Sequence, residues 1–114
     1  MITIYHNPRC GKSRAALEAI KASQQPYQVV EYLKETPSVA ELTHLLTQLG
    51  MSPLEIIRTK EPIFIERFKE KVYSDAEWVE ILHQYPILIE RPIVVHDACA
   101  VIARTDVTVA QILE

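Results

Sequence analysis

The sequence has no long apolar run and only two cysteines, and each scarcity narrows the kind of protein it encodes. Its first residues, MITIYHNPRC, lack the charged start and apolar stretch of a secretory signal. No segment approaches the roughly 20 apolar residues that span a bilayer, so we expect a cytoplasmic protein with no membrane partner. The net charge is −3 with both signs scattered, which argues against broad nucleic-acid binding.

The two cysteines, Cys10 and Cys99, lie in neither a metal-binding motif nor a CxxC motif. Neither pairs with a histidine at zinc-like intervals, so we expect no metal site. Ser13 occupies the position where a CxxC motif would have its second cysteine. Cys10 therefore has no local partner for the disulfide of a dithiol oxidoreductase, and turnover would need an external thiol. A cytoplasmic location also argues against a structural disulfide between Cys10 and Cys99.

The order of hydrophobic patterns predicts an α/β protein. Ile2 to Tyr5 alternates like a strand, a helical pattern begins at Gly11, and Gln28 to Leu33 is typical of a second strand, parallel to the first. Near the end, Ile93 to His96 and Cys99 to Ala103 are typical of a hairpin that turns at Asp97-Ala98, and a helix follows.

A helical block at about residues 38–85 separates these two halves. Its local signals are capping boxes at Ser38/Glu41 and Ser74/Glu77, a stop at Gly50, a helix start at Ser52-Pro53-Leu54-Glu55, and a short helix from Ile63 to Lys71. Without this block the order is βαβ and then ββα, as in a thioredoxin-like fold. We therefore predict one domain over residues 1–114, with a helical insertion between its halves.

Cys10 lies where the first strand gives way to the first helix. The free N–H groups and partial positive charge of a helix start stabilise a thiolate, so cysteine pKa values fall there. Lys12 and Arg14 add positive charge, while Gly11 leaves the sulfur accessible. The backbone N–H groups near Gly11 and Lys12 are also suited to holding an oxyanion. The alternative is a buried, inert cysteine, but such a residue gains nothing from these cations.

Three residues are candidates for activating this thiol: Arg14 through its charge, and His6 and Ser13 through direct contact. His6 would lower the Cys10 pKa as a cation or accept its proton as a base. Its alternative role is to end the strand and bond the loop backbone. Ser13 would hydrogen-bond the thiolate, or would serve only the first helical turn. The spacing alone leaves both alternatives open.

Three arginines are candidate oxyanion ligands because the guanidinium group presents a rigid fork of donors. They are Arg58, Arg91 and Arg104. Each of them could equally be a solvated surface charge or a member of an ion pair. Arg91 precedes Pro92 at a loop-to-strand junction, which makes that bond a candidate cis peptide.

Two separated segments resemble the signatures of the glutaredoxin-linked arsenate reductase (ArsC) family. They are Tyr5-His6-Asn7-Pro8-Arg9-Cys10-Gly11-Lys12-Ser13-Arg14 and Pro86-Ile87-Leu88-Ile89-Glu90-Arg91-Pro92-Ile93-Val94-Val95. The resemblance implies an oxidoreductase in which Cys10 attacks arsenate while Arg58, Arg91 and Arg104 hold the oxyanion. His6 matches the family histidine. The resemblance further implies glutathione as co-substrate and glutaredoxin as partner, with no bound cofactor.

Two other functions remain compatible with these residues. One is a redox regulator resembling the Spx branch, which binds RNA polymerase; Ser13 argues against it because members that sense disulfide stress often use a CxxC switch. The other is an ArsC-like thiol oxidoreductase that acts on glutathionylated proteins or on another oxyanion. The sequence does not size the pocket well enough to choose between substrates.

Overall fold

A computed structural model describes residues 1–103 and 106–113, with the side chains of residues 106–109 excepted. The elements in chain order are β1 (Ile2–Tyr5), α1 (Gly11–Ala22), β2 (Tyr27–Val30), α2 (Val39–Leu49), α3 (Pro62–Arg67), α4 (Asp75–Gln84), β3 (Ile93–His96), β4 (Cys99–Ile102) and α5 (Asp106–Leu113). Short 3₁₀ helices occupy Pro53–Ile56 and Pro86–Leu88. The α/β class is therefore confirmed.

The chain divides into two compact units. The first comprises residues 1–35 and 91–114, and the second comprises residues 36–90. The second unit overlaps the helical block expected at about 38–85. That the whole chain forms a single domain stays a prediction.

The first unit is built on a four-stranded sheet in the order β2-β1-β3-β4. β1 pairs parallel with β2 and antiparallel with β3, which pairs antiparallel with β4. The expected parallel pair and terminal hairpin are thus confirmed. At one end of the strands Tyr5 lies beside both Val30 and Ile93, and Ile93 lies opposite Ile102. The segment that follows β1 and the segment that precedes β3 therefore lie at the same end of the sheet.

Aliphatic side chains form the core of the first unit. The alternation in β1 buries Ile2 and Ile4, while the helical spacing in α1 buries Ala16 and Ile20. Burying an isoleucine side chain contributes about 1.5–3 kcal/mol. This packing fixes α1 against the sheet, and with it the residue that precedes the helix.

Helix caps and aromatic packing characterise the second unit. Both predicted capping boxes are present, since Ser38 accepts a hydrogen bond from the Glu41 N–H and Ser74 accepts one from the Glu77 N–H. Gly50 ends α2 in the left-handed conformation, with φ of 67°. Around the buried Trp78 lie the rings of Phe64, Phe68 and Tyr73.

The second strand is shorter than predicted. We expected it to run from Gln28 to Leu33, but β2 ends at Val30. The N–H groups of Lys34 and Glu35 both donate to the Glu31 carbonyl, at 2.9 and 2.8 Å. This turn takes the chain away from the sheet, so the apolar pattern beyond Val30 reflects burial of Tyr32 in the turn.

Two helix predictions in the second unit were also too long. The start signal at Ser52 yields a single 3₁₀ turn, because Ile57 becomes extended and forms an isolated bridge with Ile89. The helix expected from Ile63 to Lys71 spans Pro62–Arg67. Glu70, just beyond it, adopts a left-handed φ of 66°, which is incompatible with continuing the helix.

Within the described residues, none of the helices is long and apolar enough to cross a membrane.

Candidate active site

A short loop after β1 contains the candidate residues His6 and Cys10, and hydrogen bonds to Asn7 fix its conformation. The His6 N–H donates to the Val30 carbonyl at 2.8 Å, which ties the start of the loop to β2. The buried Asn7 accepts from the Arg9 N–H through its side chain and from the Cys10 N–H through its carbonyl, both at 3.0 Å. These bonds turn the chain so that Cys10 arrives at the start of α1.

Cys10 is the N-cap residue of α1, with extended backbone angles of φ −95° and ψ 123°. Its carbonyl accepts a hydrogen bond from the Arg14 N–H at 3.0 Å, the first of the helix. The thiol is free and half-buried. An N-cap side chain lies beside the N–H groups of the first turn, which have no partner within the helix. The predicted placement of Cys10 at a helix start is therefore what the structure shows.

The environment lowers the pKa of the Cys10 thiol below its ordinary value. Burial raises this pKa, because it disfavours the charged thiolate. The backbone N–H of Ser13, the Arg91 guanidinium and the backbone N–H of Lys12 act in the opposite direction and outweigh burial. Cys10 makes no side-chain capping hydrogen bond of full geometry, so the two N–H groups stabilise the thiolate mainly through their dipoles.

Arg91 reaches the Cys10 sulfur from the start of β3. Its guanidinium acts on the thiolate both as a hydrogen-bond donor and as a positive charge, and both effects lower the pKa of the thiol. The antiparallel pairing of Tyr5 with Ile93 explains this approach, because it places the end of β1 beside the start of β3. The peptide between Arg91 and Pro92 is cis. Within the described chain, the buried Nε of Arg91 has no hydrogen-bond acceptor, so the guanidinium retains a donor for a ligand.

His6 and Ser13 form a buried pair behind the thiol. Their side chains are 6% and 0% exposed, and the His6 Nδ1 lies 2.7 Å from the Ser13 Oγ. The same oxygen accepts the Asn7 N–H at 3.0 Å. Burial lowers the pKa of His6, and the opposing charge of Glu31 does not restore it. A neutral His6 with the Ser13 hydroxyl donating to Nδ1 fits these contacts.

Two of the three activation candidates, His6 and Ser13, thus contact each other, and the Ser13 hydroxyl bonds the loop backbone. The activating role of Arg14 stays a prediction. Ser13 acts on Cys10 through its backbone N–H. Any effect of His6 on the thiol runs through this pair, and its role in activation stays a prediction.

The cations that follow Cys10 in α1 have different surroundings. The Arg14 guanidinium folds back to donate to the Pro8 carbonyl at 3.1 Å, so it braces the loop. Lys12 is exposed and contributes its backbone N–H to the thiolate. Gly11 is exposed, and a Cβ placed there would meet only the far end of the Arg14 side chain, at 3.9 Å. The oxyanion role assigned to Gly11 and Lys12 remains a prediction.

Arg58 belongs to the second unit, where two carboxylates hold it. Its Nε lies 2.9 Å from the Glu61 Oε1, and its NH1 lies 3.6 Å from the Glu90 Oε1. All three side chains are at most 30% exposed, so these pairs are less screened than surface ones. The backbone fixes the cluster as well: the Arg58 N–H donates to Leu88 and the Glu90 N–H to Ile56, both at 2.8 Å.

The sequence reasoning missed both carboxylates. Glu61 was detectable, because an acid three residues after an arginine is a common local pair. Glu90 stands 32 residues further along the sequence than Arg58, and only the isolated bridge between Ile57 and Ile89 brings the two together. As an oxyanion ligand, Arg58 stays a prediction.

Arg104, the third predicted oxyanion ligand, lies outside the described residues. Cys99 is described, and it is exposed at the start of β4. It pairs with His96, at the opposite end of the strands from the Tyr5–Ile93 pair. Three residues of strand span about 10 Å, more than the roughly 7 Å between Cα atoms that a disulfide allows. Cys99 is therefore poorly placed to resolve an oxidised Cys10 within one chain.

The described residues contain no group of three or more metal-ligating side chains. What the first unit does assemble is a thiol with a lowered pKa, a guanidinium on its sulfur and backbone N–H groups beside it. Such features stabilise a thiolate and favour an anion beside it.

The model of the ArsC family matches residues 5–112 of this chain. An arsenate reductase of Escherichia coli is 38% identical over 114 residues, which cover 99% of this chain and 81% of that protein. One from Acidiphilium multivorum is 42% identical over 95 residues, covering 82% of this chain and 67% of the relative. A solved structure of an arsenate reductase from Vibrio cholerae superposes with a TM-score of 0.90 at 37% identity, covering 97% of this chain and 96% of that one.

These matches extend over almost the whole chain, including both segments with the signature motifs. The chain belongs to the ArsC family. The close structural match also confirms the predicted thioredoxin-like fold.

Proposed function

We propose that this protein is an arsenate reductase in which Cys10 is the nucleophile. The observation that carries the proposal is the lowered pKa of Cys10 at the start of α1, with the Arg91 guanidinium bonded to its sulfur. A thiolate is the reactive form of cysteine, and an arginine beside it favours an anionic electrophile. The relatives named arsenate reductases supply the choice of arsenate among oxyanions.

In the first step the Cys10 thiolate attacks the arsenic atom of arsenate. A sulfur–arsenic bond forms and an arsenic–oxygen bond breaks, and the departing oxygen takes up protons and leaves as water. Arg91 and the N–H groups at the start of α1 stabilise the oxyanion, and their alignment before reaction makes that stabilisation effective. Arg58 and Arg104 are assigned here only by their match to the family pattern.

In the second step an external thiol supplies the reducing power. Glutathione attacks the adduct, and its sulfur forms a disulfide with the sulfur of Cys10 while arsenite departs. The two thiols together lose two electrons, and As(V) gains them to become As(III). Glutaredoxin then takes the glutathionyl group by thiol–disulfide exchange and restores the Cys10 thiolate. The position of Cys99 supports this route, because a second thiol within reach of Cys10 would replace glutathione.

The test is arsenite release from arsenate by the purified protein with glutathione and glutaredoxin. We expect the unsubstituted protein to turn over. Cys10→Ser should lower the rate of arsenite release about 1000-fold or more, because serine at neutral pH has no anionic nucleophile. Cys99→Ser is the matched control and should keep its activity. An absence of both turnover and arsenate binding in the original sequence would refute the proposal, as would equal losses in the two variants.

A further inference from the structure

Four cationic residues lie near Cys10 in the first unit, Arg91 through its action on the thiol and the other three through their positions in the sequence, and two of the four already have partners. Arg91 bonds the sulfur and Arg14 bonds the Pro8 carbonyl. Arg9 and Lys12 flank Cys10 in the sequence and are both exposed. Across the described residues, no hydrogen bond or ion pair involves either of their side chains.

Few negative charges balance these cations. The first turn of α1 contains no acidic residue. Glu18 lies two turns further along and pairs with Lys21 at 3.6 Å. Glu31 is the acid whose charge acts on this loop, through His6. Arg9 and Lys12 are therefore two exposed cations beside Cys10 in the sequence that have no acidic partner among the described residues.

We propose that Arg9 and Lys12 select the thiol that reduces Cys10, by attracting reductants that carry carboxylates. The inference rests on the proposed function, which requires an external thiol. It goes further in naming the charge class of that thiol and the two side chains that choose it. Neither side chain is needed to activate Cys10, because the lowered pKa of the thiol comes from Arg91 and from backbone N–H groups.

The expected size of the effect follows from simple electrostatics. Two unit charges about 7 Å apart in water interact strongly enough to change a rate about threefold. Removing both cations should therefore cost about tenfold for a reductant of net negative charge. Salt screens such exposed charges, so the effect should be clear at about 0.01 M salt, weaker at about 0.15 M and largely lost at about 1 M, where the Debye length is about 3 Å.

The experiment follows the reductive step alone. In a Cys99→Ser background, Cys10 is converted to its thiopyridyl mixed disulfide. A thiol then attacks the Cys10 sulfur, forms a new disulfide and releases thiopyridone, whose absorbance is recorded. Glutathione, which is net negative, is compared with neutral 2-mercaptoethanol and with cationic cysteamine.

We expect the ratio of the glutathione rate to the 2-mercaptoethanol rate to fall about threefold in Arg9→Ala and in Lys12→Ala. It should fall about tenfold in the double variant, while the corresponding cysteamine ratio rises. Ratios are used because they cancel any change in the intrinsic reactivity of the Cys10 disulfide. Lys69→Ala is the control: it removes an exposed lysine of the second unit whose side chain has no ion pair among the described residues, so the ratio should change by no more than about 1.5-fold.

An unchanged ratio in the double variant would overturn the inference, and so would an equal fall in Lys69→Ala. Because arsenate is absent from this assay, such a result would leave the proposed reductase activity standing. Conversely, a protein that failed to reduce arsenate could still show the predicted charge selectivity.

Discussion

The two units differ in the partners of their arginine side chains. In the first unit the Arg91 guanidinium bonds the Cys10 sulfur and makes no ion pair with any described carboxylate. In the second unit two carboxylates, Glu61 and Glu90, hold Arg58. The same residue type, predicted for the same role, is thus available for an anion in one unit and compensated in the other. The difference shows that residue type and family position do not by themselves establish that a cation is free to bind a ligand.

The units also differ in what stabilises them. The first relies on an aliphatic core between α1 and the sheet, while the second relies on helix caps and on the aromatic rings around Trp78. The proposed nucleophile, Cys10, lies in the unit whose backbone is fixed by strand pairing on both sides of β1. This arrangement favours a precise thiol geometry, because the loop after β1 has little freedom.

Trp78→Ala should have the largest effect on stability. The side chain is 2% exposed and contacts three aromatic rings, so truncation should cost about 3–5 kcal/mol of the free energy of unfolding. Chemical denaturation followed by circular dichroism measures this cost. A loss below about 1 kcal/mol would show that the aromatic cluster does not stabilise the second unit.

Arg91→Ala should have the next largest effect, and it acts on chemistry. We expect kcat/KM for arsenate to fall about 100-fold, or about 2.7 kcal/mol, since a donor to the reacting anion is lost. The pKa of Cys10 should rise at the same time, because Arg91 helps to lower it. Arg91→Lys is the control that retains the charge without the forked donors. Unchanged kinetics in Arg91→Ala would remove the contrast between the two units.

Ser38→Ala should cost about 1 kcal/mol of stability, because it removes the hydrogen bond to the Glu41 N–H. The capping box lowers the pKa of Glu41, through the Ser38 backbone and then its side chain. A depressed carboxylate pKa stabilises the fold above the unfolded-state pKa, and that stabilisation is lost as the pH falls. The variant should therefore differ less from the original sequence at pH 3 than at pH 7. Thermal unfolding at the two pH values measures this, and an equal difference at both would contradict the account.

Glu61→Gln should have the smallest effect, a change in KM for arsenate. It tests whether the carboxylate of Glu61 compensates the charge of Arg58. If its charge compensates Arg58, neutralising it should lower KM for arsenate about two- to fivefold, since the freed guanidinium attracts an oxyanion more strongly. Glu66→Gln, at an exposed position nearby in the sequence, is the control. A rise in KM would mean that Glu61 positions Arg58 for binding.

Local signals in the sequence predicted much of this structure. The capping boxes at Ser38 and Ser74, the stop at Gly50 and the helix start at Cys10 all depend on residues within four positions of one another. Such features are fixed by backbone N–H groups that need a nearby acceptor, so their residue patterns are specific.

Features that depend on distant segments were not predictable in the same way. The second strand was expected to reach Leu33, but a turn at Glu31 ends it three residues earlier. The Ser13 hydroxyl was considered as a partner for the thiolate, yet it contacts His6, seven residues away. Glu90 reaches Arg58 only through a bridge between separate segments. In each case the partner is chosen by tertiary packing, which spacing along the chain does not encode.

The most direct test of the central claim is a titration of the Cys10 thiol in the Cys99→Ser background, followed by thiolate absorbance at 240 nm. We expect a pKa below that of an ordinary cysteine thiol, and an upward shift when Arg91 is replaced by alanine. Reactivity toward a neutral alkylating reagent should rise through the same pKa as the pH increases. A pKa at or above the ordinary value, unmoved by the loss of Arg91, would contradict the claim that this site activates its single cysteine.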